Sequence, residues 1–455
     1  LNQKIDIEKI SSGLGRASAN KYTYENSNGN IMKIEDMGAV NAADCGQDAP
    51  DIENDLYTTN ISYAEDTQGK GVIGLPSSEI TYDYNNNKVS EKQYYYDNQA
   101  LGSVIKGNLT MEKTWRSGSE YISNSKTYNS YGLVTSETDG KNNTKYYTYD
   151  YENLYPASVR NALNQTYDYS YDYSSGQAIQ ELDPSDYLAY YTELDSFDRP
   201  SVEHSLNPED MRMIESANYY YIDEFFPIMA WKITNLSDSK NYMQMTYFDG
   251  LDRAVQDKRS ITDSNTFSTR DFKYNNDGLL SAESVPYISG GGNTTPTTQT
   301  SLYLNYTYDV LGRIIYKGSV FGTETNDYQL SGSNQKIFNT TEEGKINTIY
   351  KDPRGKVIRI TEKNAGADYA TLYEYNYDGN LTKITDANGN IRNFTYDGLG
   401  RKIYSEETHA PSDTTFGTQQ FTYDENGNLV SETNQENEVI NYTYDPINRI
   451  ISEDY

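Results

Sequence analysis

Residues that carry chemistry are scarce in this chain. Its 455 residues include one cysteine, Cys45, and two histidines, His204 and His409. One cysteine excludes an intrachain disulfide framework and any CxxC metal or redox motif. Neither histidine lies in an HExxH or related ligand pattern, so both read as turn or surface positions. No phosphate-cradling Walker A loop occurs, and Gly13-Leu14-Gly15-Arg16 lacks the third glycine of a dinucleotide fingerprint. Apolar runs are short as well: none reaches the roughly 18 residues expected of a membrane helix. Basic residues number 38 against 67 acidic ones, a formal charge of −29. Such a field repels phosphates and speaks against nucleic-acid or anionic-membrane partners. Hydrophobic residues make up 35% of the chain, below the roughly 45–50% of ordinary globular domains.

That shortage would read as disorder if the aromatics were ignored. Tyrosine alone contributes 47 residues, and disordered chains are poor in aromatics. A tyrosine ring can be buried while its hydroxyl stays hydrogen-bonded, so a tyrosine-rich sheet is stable with few aliphatics. The tyrosines recur in a pattern. Tyr377-Asp378-Gly379-Asn380-Leu381 is followed by Tyr396-Asp397-Gly398-Leu399-Gly400-Arg401, by Tyr423-Asp424-Glu425-Asn426-Gly427-Asn428 and by Tyr444-Asp445-Pro446-Ile447-Asn448-Arg449. Successive tyrosines of this set are 19, 27 and 21 residues apart. Upstream, Tyr308-Asp309-Val310-Leu311-Gly312-Arg313, Asp249-Gly250-Leu251-Asp252-Arg253, Tyr274-Asn275-Asn276-Asp277-Gly278-Leu279 and Tyr149-Asp150 belong to the same set, and more worn copies occur at Tyr128, Tyr171 and Tyr24.

The unit has a physical reading. Aspartate or asparagine starts a turn by bonding its side chain to backbone two residues on, and the glycine supplies φ > 0. Such a loop is a common β-hairpin connection. An alternating segment such as Leu381-Thr382-Lys383-Ile384-Thr385 follows, then a second turn at Asp386-Ala387-Asn388-Gly389, then Asn390-Ile391-Arg392-Asn393-Phe394-Thr395-Tyr396. Each repeat is therefore two short antiparallel strands and two turns, and the whole chain is a curved, continuous all-β meander. Arg392, Phe394 and Tyr396 share one face, and recurrence of Thr-Tyr-Asp predicts a ladder of tyrosine rings across strands.

The consensus Thr-Tyr-Asp-x-x-Gly-Arg/Asn-Leu resembles the RHS/YD-repeat family, which includes bacterial RHS proteins, the BC component of insecticidal Tc toxins and the teneurin YD shell. The resemblance spans essentially all of residues 1–455 as one repeat segment, more patchily before Tyr82 and between Ser205 and Lys240. It implies a long sheet that spirals into a hollow shell, commonly enclosing a C-terminal toxin. By the same resemblance, self-cleavage in a released toxin would reside in a core segment after the last repeat, and no residue here matches it. The structural motif residues are Tyr308, Asp309, Gly312, Arg313, Tyr377, Asp378, Tyr396, Asp397, Gly400, Arg401, Tyr423, Asp424, Gly427, Tyr444 and Asp445. The chain opens on Leu1-Asn2-Gln3 and closes on Glu453-Asp454-Tyr455 where a further turn would come, the look of an excerpt from a longer polypeptide.

Four stretches depart from the repeat and are expected as insertions between strands: about 37–80, 205–240, 286–300 and 317–345. The first holds Cys45 and a cluster of Asp and Asn. The second concentrates apolar bulk in Met211, Met213, Phe225, Phe226, Met229 and Trp231 and predicts longer strands or a plug. The third, with Gly290-Gly291-Gly292, reads as a flexible loop and the fourth as a widened connection.

No catalytic, cofactor-binding or metal-binding set emerges. The recurrent aspartate sits at the same turn in every unit, which makes its role structural rather than that of a glycosidase carboxylate. Asp424-Glu425-Asn426-Gly427-Asn428 misses the EF-hand pattern. The leading expectation is a non-enzymatic, secreted or surface-located shell wall whose partner is a C-terminal cargo or effector of the same polypeptide, with other toxin-complex subunits as further partners. The alternative is an adhesive surface element that binds cell-surface ligands or glycans through its aromatic face.

Overall fold

The computed structural model describes all residues except 1–2, 12–13, 26, 41–55, 185–187, 207–211, 225–226, 238–239, 262–265, 291–295, 297–301, 332–333 and 365. Among the described residues there is no helix. Thirty-six strands join in one antiparallel sheet that runs from Gln3–Ser11 to Ile450–Asp454. Each strand pairs with the strand before and after it along the chain, as in the final series Leu381–Thr385, Ile391–Tyr396, Lys402–Glu406, Thr418–Tyr423, Leu429–Thr433, Val439–Tyr444 and Ile450–Asp454. Two features depart from this order. Glu65–Asp66 and Ser103–Val104 form a separate parallel pair that ties two loops together. Thr266–Tyr274 pairs along one edge with both Leu280–Ser284 and Tyr287–Gly290, so the following strand bends at Val285-Pro286.

The strands alternate as their sequences require. Along Val439–Tyr444 every second residue is exposed and the others are half-buried. Most of the sheet behaves as a single layer, with side chains that are rarely fully enclosed. Among the described residues, two small apolar clusters are exceptions. Met229, Met245, Tyr247 and Phe267 form one, with Ile222, Trp231, Met243 and Val255 against it. Ala64, Tyr96 and Val104 form the other.

The stretches expected as insertions carry strands of the sheet itself. Tyr57–Tyr63, inside 37–80, pairs with Pro76–Tyr82, which starts there and runs two residues beyond. Within 205–240, Met213–Ile222 and Ile228–Ser237 are ten residues each, against five for Leu381–Thr385, and Met229 and Trp231 enter the first apolar cluster. Between 317 and 345, Gly322–Ser331 and Asn334–Thr340 make a hairpin continuous with the sheet. Gly322–Ser331 keeps period-two burial with polar residues in place of apolar ones, so a repeat without its motif still folds as a repeat. Among the described residues of 286–300, Tyr287–Gly290 forms a strand. Cys45, Met211, Phe225, Phe226, Gly291 and Gly292 lie outside the described residues.

Candidate functional site

The site that this fold builds is a repeated turn together with the rim it creates. Asp397 shows the turn fully. Its Oδ1 accepts the backbone N–H groups of Leu399 (3.1 Å) and Arg401 (3.0 Å), and the Gly400 N–H donates to the Asp397 carbonyl at 3.0 Å. Gly400 has φ +76°, in the left-handed region that glycine adopts freely and asparagine or aspartate at modest cost. Gly312 and Gly427 hold the same position at φ +76° and +88°, while Asn448 fills it after Asp445 at φ +66°. Arg401 Nε then donates to Asp397 Oδ2 at 2.8 Å. The same clasp joins Asp195 to Arg199, Asp249 to Arg253, Asp309 to Arg313 and Asp445 to Arg449. Arg253, with the turn N–H groups, holds the Asp249 carboxyl below the ordinary carboxylate range although partial desolvation opposes this.

The tyrosine has a role that the sequence pattern did not disclose. Among the described residues, twelve tyrosines at this position, and Tyr328 within Gly322–Ser331, donate their hydroxyl to a backbone carbonyl of the neighbouring strand, at 2.6–3.1 Å. Tyr308, Tyr396 and Tyr444 bond the carbonyls of Leu280, Leu381 and Leu429. Between successive rings lies the clasped arginine: Arg199 sits 3.9 Å from the Tyr221 centroid, Arg253 4.5 Å from Tyr274, Arg313 4.2 Å from Tyr328 and Arg401 4.9 Å from Tyr423. Where an arginine closes the turn, a guanidinium group thus lies over the next tyrosine ring of the expected ladder. Adjacent strands are about 4.8 Å apart, and motif tyrosines occupy every second strand, too far for their rings to stack.

A second tyrosine position, two residues before the first, pairs with carboxylates instead. Tyr147, Tyr219 and Tyr306 each donate to a glutamate, Glu137, Glu203 and Glu283, at 2.6 Å. Burial and the facing carboxylate push the Tyr147 and Tyr306 hydroxyls well above the ordinary tyrosine range. Burial, with Glu79 next in weight, raises Tyr94 to about 12.

One motif assignment shifts by two residues. Tyr377 and Asp378, read from sequence as the motif pair, occupy the tip of the turn. Asn376 starts that turn, accepting the Asn380 N–H at 2.9 Å, and Tyr375 is the tyrosine that reaches back, to the Val357 carbonyl at 2.8 Å. Tyr-Asn-Tyr-Asp offers two overlapping starts, and the glycine three residues beyond Asn376 selects the first.

The two histidines also sit differently from expectation. His204 is on the strand Pro200–Leu206, with Nε2 3.1 Å from Glu193. His409 is buried in the loop after Lys402–Glu406, stacked on Phe416 at 3.6 Å and bonded to Glu406 and the Ala410 carbonyl. Among the described residues no group of three His, Cys, Asp or Glu side chains is placed to hold a metal ion.

The turns form two rims, one at the tyrosine end of the strands and one at the opposite end. Late tyrosine-end turns lie on the opposite rim of early strands. Arg354 pairs with Asp36 at 3.1 Å, and Tyr377 meets Tyr57 at 4.7 Å. The Gly398 N–H donates to the Arg116 carbonyl at 2.7 Å. Lys141 pairs with Asp424 at 2.9 Å, and Asn426 donates to Asp139 at 2.6 Å. These contacts advance in step along both rims, so the sheet winds back on itself without closing by strand pairing. Two glycines permit the approach: a Cβ at Gly398 would lie 2.5 Å from the Trp115 ring, and one at Gly140 2.8 Å from the Glu425 Cβ. A cleft of about 580 Å³ remains along this seam, lined by Lys88, Trp115, Glu120, Tyr377 and Phe421 among others.

Comparison with known proteins agrees with this geometry. The family profile described as RHS Repeat matches residues 375–415. No curated protein matches the chain in sequence. The crystal structure of TcdB2-TccC3 superposes with a TM-score of 0.76 at 13% identity, covering 96% of this chain and 30% of that one. The Photorhabdus luminescens Tc holotoxin pore gives 0.76 at 12% identity, covering 99% and 32%. TcdB2-TccC3 without its hypervariable C-terminal region gives 0.74 at 12% identity, covering 96% and 32%. At such identities the likeness is one of fold, and the chain spans about a third of each structure's length. The chain thus carries a match to the RHS Repeat at residues 375–415 and, over nearly its whole length, has the fold seen in the Tc-toxin structures.

Proposed function

We propose that this chain is a structural wall segment of a shell that encloses an effector polypeptide carried C-terminal to the repeats, outside the producing cell. The observation that carries this reading is the seam. A single-layer sheet whose late turns are seated on its early strands, with glycines where the two meet, is shaped to surround a space. Little of its own apolar mass is spent on filling that space. The fold neighbours support it: one belongs to a holotoxin pore and another is described as lacking a hypervariable C-terminal region. In this reading the clasped turns supply stiffness, the side chains perform no catalysis, and other toxin-complex subunits meet the wall from outside.

The test joins the chain to the polypeptide that follows it in its gene product and exposes the whole to protease. The reading expects the following segment to survive while the wall is folded and to be cut once Gly398→Val opens the seam. Immediate digestion beside an intact wall would overturn it.

A further inference from the structure

Residues 407–417, between the strands Lys402–Glu406 and Thr418–Tyr423, form a loop on the rim away from the motif tyrosines. The loop folds back onto the sheet. The backbone N–H of His409 donates to the Ile391 carbonyl at 3.0 Å, and the Ile391 N–H donates to the His409 carbonyl at 2.7 Å. The buried His409 ring is set between acceptors on both sides. Its Nδ1 lies 2.9 Å from the Ala410 carbonyl oxygen, and its Nε2 lies 3.2 Å from Glu406 Oε2. Desolvation would lift the Glu406 carboxyl, but His409 and Asn393 together hold it below its ordinary range, so it too can only accept. Neutral imidazole carries one N–H and imidazolium two. Only the imidazolium satisfies both contacts. Glu406 Oε2 also accepts the Asn393 backbone N–H at 3.0 Å and its side-chain amide at 2.6 Å, so the same carboxylate is tied into the strand Ile391–Tyr396.

We propose that residues 407–417 are an acid-closed latch: protonated His409 ties the loop to Glu406 and Ile391, and loss of that proton releases it. The charged groups acting on the ring are Glu406, at the end of its own strand, and Asp413, across the loop. Glu407 is turned to the Gly417 N–H at 3.3 Å. Arg392, on the neighbouring strand, is turned to the Glu406 carbonyl at 2.8 Å and the Ser405 hydroxyl at 3.2 Å. Residues 407–417 contain no lysine or arginine, so the imidazolium is the only cation of the loop. Desolvation pulls the His409 ring down, and the Ala410 carbonyl, Glu406 and Asp413 outweigh it, leaving the ring above its ordinary value of 6.5. A raised folded-state value contributes stability that is complete below the unfolded value and is lost as pH climbs through the raised one. The latch is therefore shut in acid and opens on the alkaline side of the ordinary histidine range.

Two measurements on the full chain test this together. With ring-labelled histidine, the two histidines give two nuclear magnetic resonance signals, and His204→Gln assigns them. The His409 signal is expected to titrate above 6.5, and Glu406→Gln should bring that titration down. Hydrogen exchange, corrected for the intrinsic rate at each pH, should show protection of peptides within 407–417 falling as His409 loses its proton. The fall should be about tenfold for each unit by which the folded value exceeds the unfolded one. His409→Gln should make protection of the loop independent of pH. A wild-type His409 that titrates at or below 6.5 overturns the proposal. So does loop protection that stays level from mildly acid to mildly alkaline pH, or that falls equally in His409→Gln. A titration unmoved by Glu406→Gln in a folded chain overturns it as well.

Discussion

The Tyr423 hydroxyl donates to the backbone carbonyl of Lys402, 2.9 Å away and 21 residues earlier in the chain. Arg401, next to Lys402 in the chain, clasps Asp397 and lies over the Tyr423 ring. One repeat is thereby fastened to the next by side chains as well as by strand pairing. The same arrangement recurs at Arg199 with Tyr221 and at Arg253 with Tyr274.

Removing that hydroxyl isolates its contribution. Tyr423→Phe and Tyr396→Phe should each cost about 1 kcal/mol in denaturant unfolding, the net worth of one hydrogen bond. Tyr151, which is 93% exposed, provides the control, and Tyr151→Phe should change nothing. Equal midpoints for all three would mean that the hydroxyls bind water as readily as carbonyl.

Two nearby glycines should fail in different ways. Gly400→Val places a β-branched residue at φ +76° and should destabilise its hairpin by about 1 kcal/mol or more. No positive φ constrains Gly398, but a side chain there meets Trp115 and the Arg116 carbonyl. Gly398→Val should therefore release the seam and speed limited proteolysis near residues 115–118, with the strand content in circular dichroism retained.

Acid should loosen the turns. Asp249 and Asp445 have carboxyls held below their ordinary range, in each case with desolvation outweighed by turn N–H groups and the clasped arginine. A depressed folded-state value contributes stability that is complete above the unfolded value near 3.8 and is lost as pH falls through the lower one. Thermal midpoints should be insensitive to this group near neutrality and fall below about pH 4. Asp249→Asn should blunt that fall.

Alkali acts on the second set of tyrosines with the opposite sign. Tyr94, Tyr147 and Tyr306 titrate above their ordinary value of 10.0, chiefly through burial and with facing glutamates adding to it. Their stabilisation is present below pH 10 and is lost as pH climbs through the raised values. Absorbance near the tyrosinate band should show a fraction of the 47 tyrosines ionising late, together with unfolding. A single titration centred on the ordinary value would contradict these environments.

Much of the fold was legible because each repeat states its own chemistry locally. Asp397, Gly400 and the alternation of Ile391–Tyr396 specify a hairpin without help from the rest of the chain. The partners of the tyrosine hydroxyls were not legible, since a backbone carbonyl on the neighbouring strand leaves no mark on residue identity. The misplaced pair Tyr377 and Asp378 shows the limit of the motif: two tyrosines flank an asparagine, and only the position of Gly379 tells which begins the turn. Hairpins such as Gly322–Ser331 with Asn334–Thr340 escaped notice because polar alternation carries a weak signal. Nor did the seam announce itself. Gly140 and Gly398 look like ordinary turn glycines until residues 280 or more positions away are brought against them.

In the proposed function the seam is what would turn a ribbon of hairpins into a wall around a space, and zero-length carbodiimide crosslinking of the native chain reads it directly. Lys141 and Asp424 are 2.9 Å apart across the seam, while Lys126 and Glu137 are 2.7 Å apart within one hairpin and serve as the internal control. Mass spectrometry should find both crosslinked peptides, with the 141–424 link lost in Gly398→Val. Recovery of the 126–137 link alone from the wild-type chain would mean that the sheet does not wind back on itself.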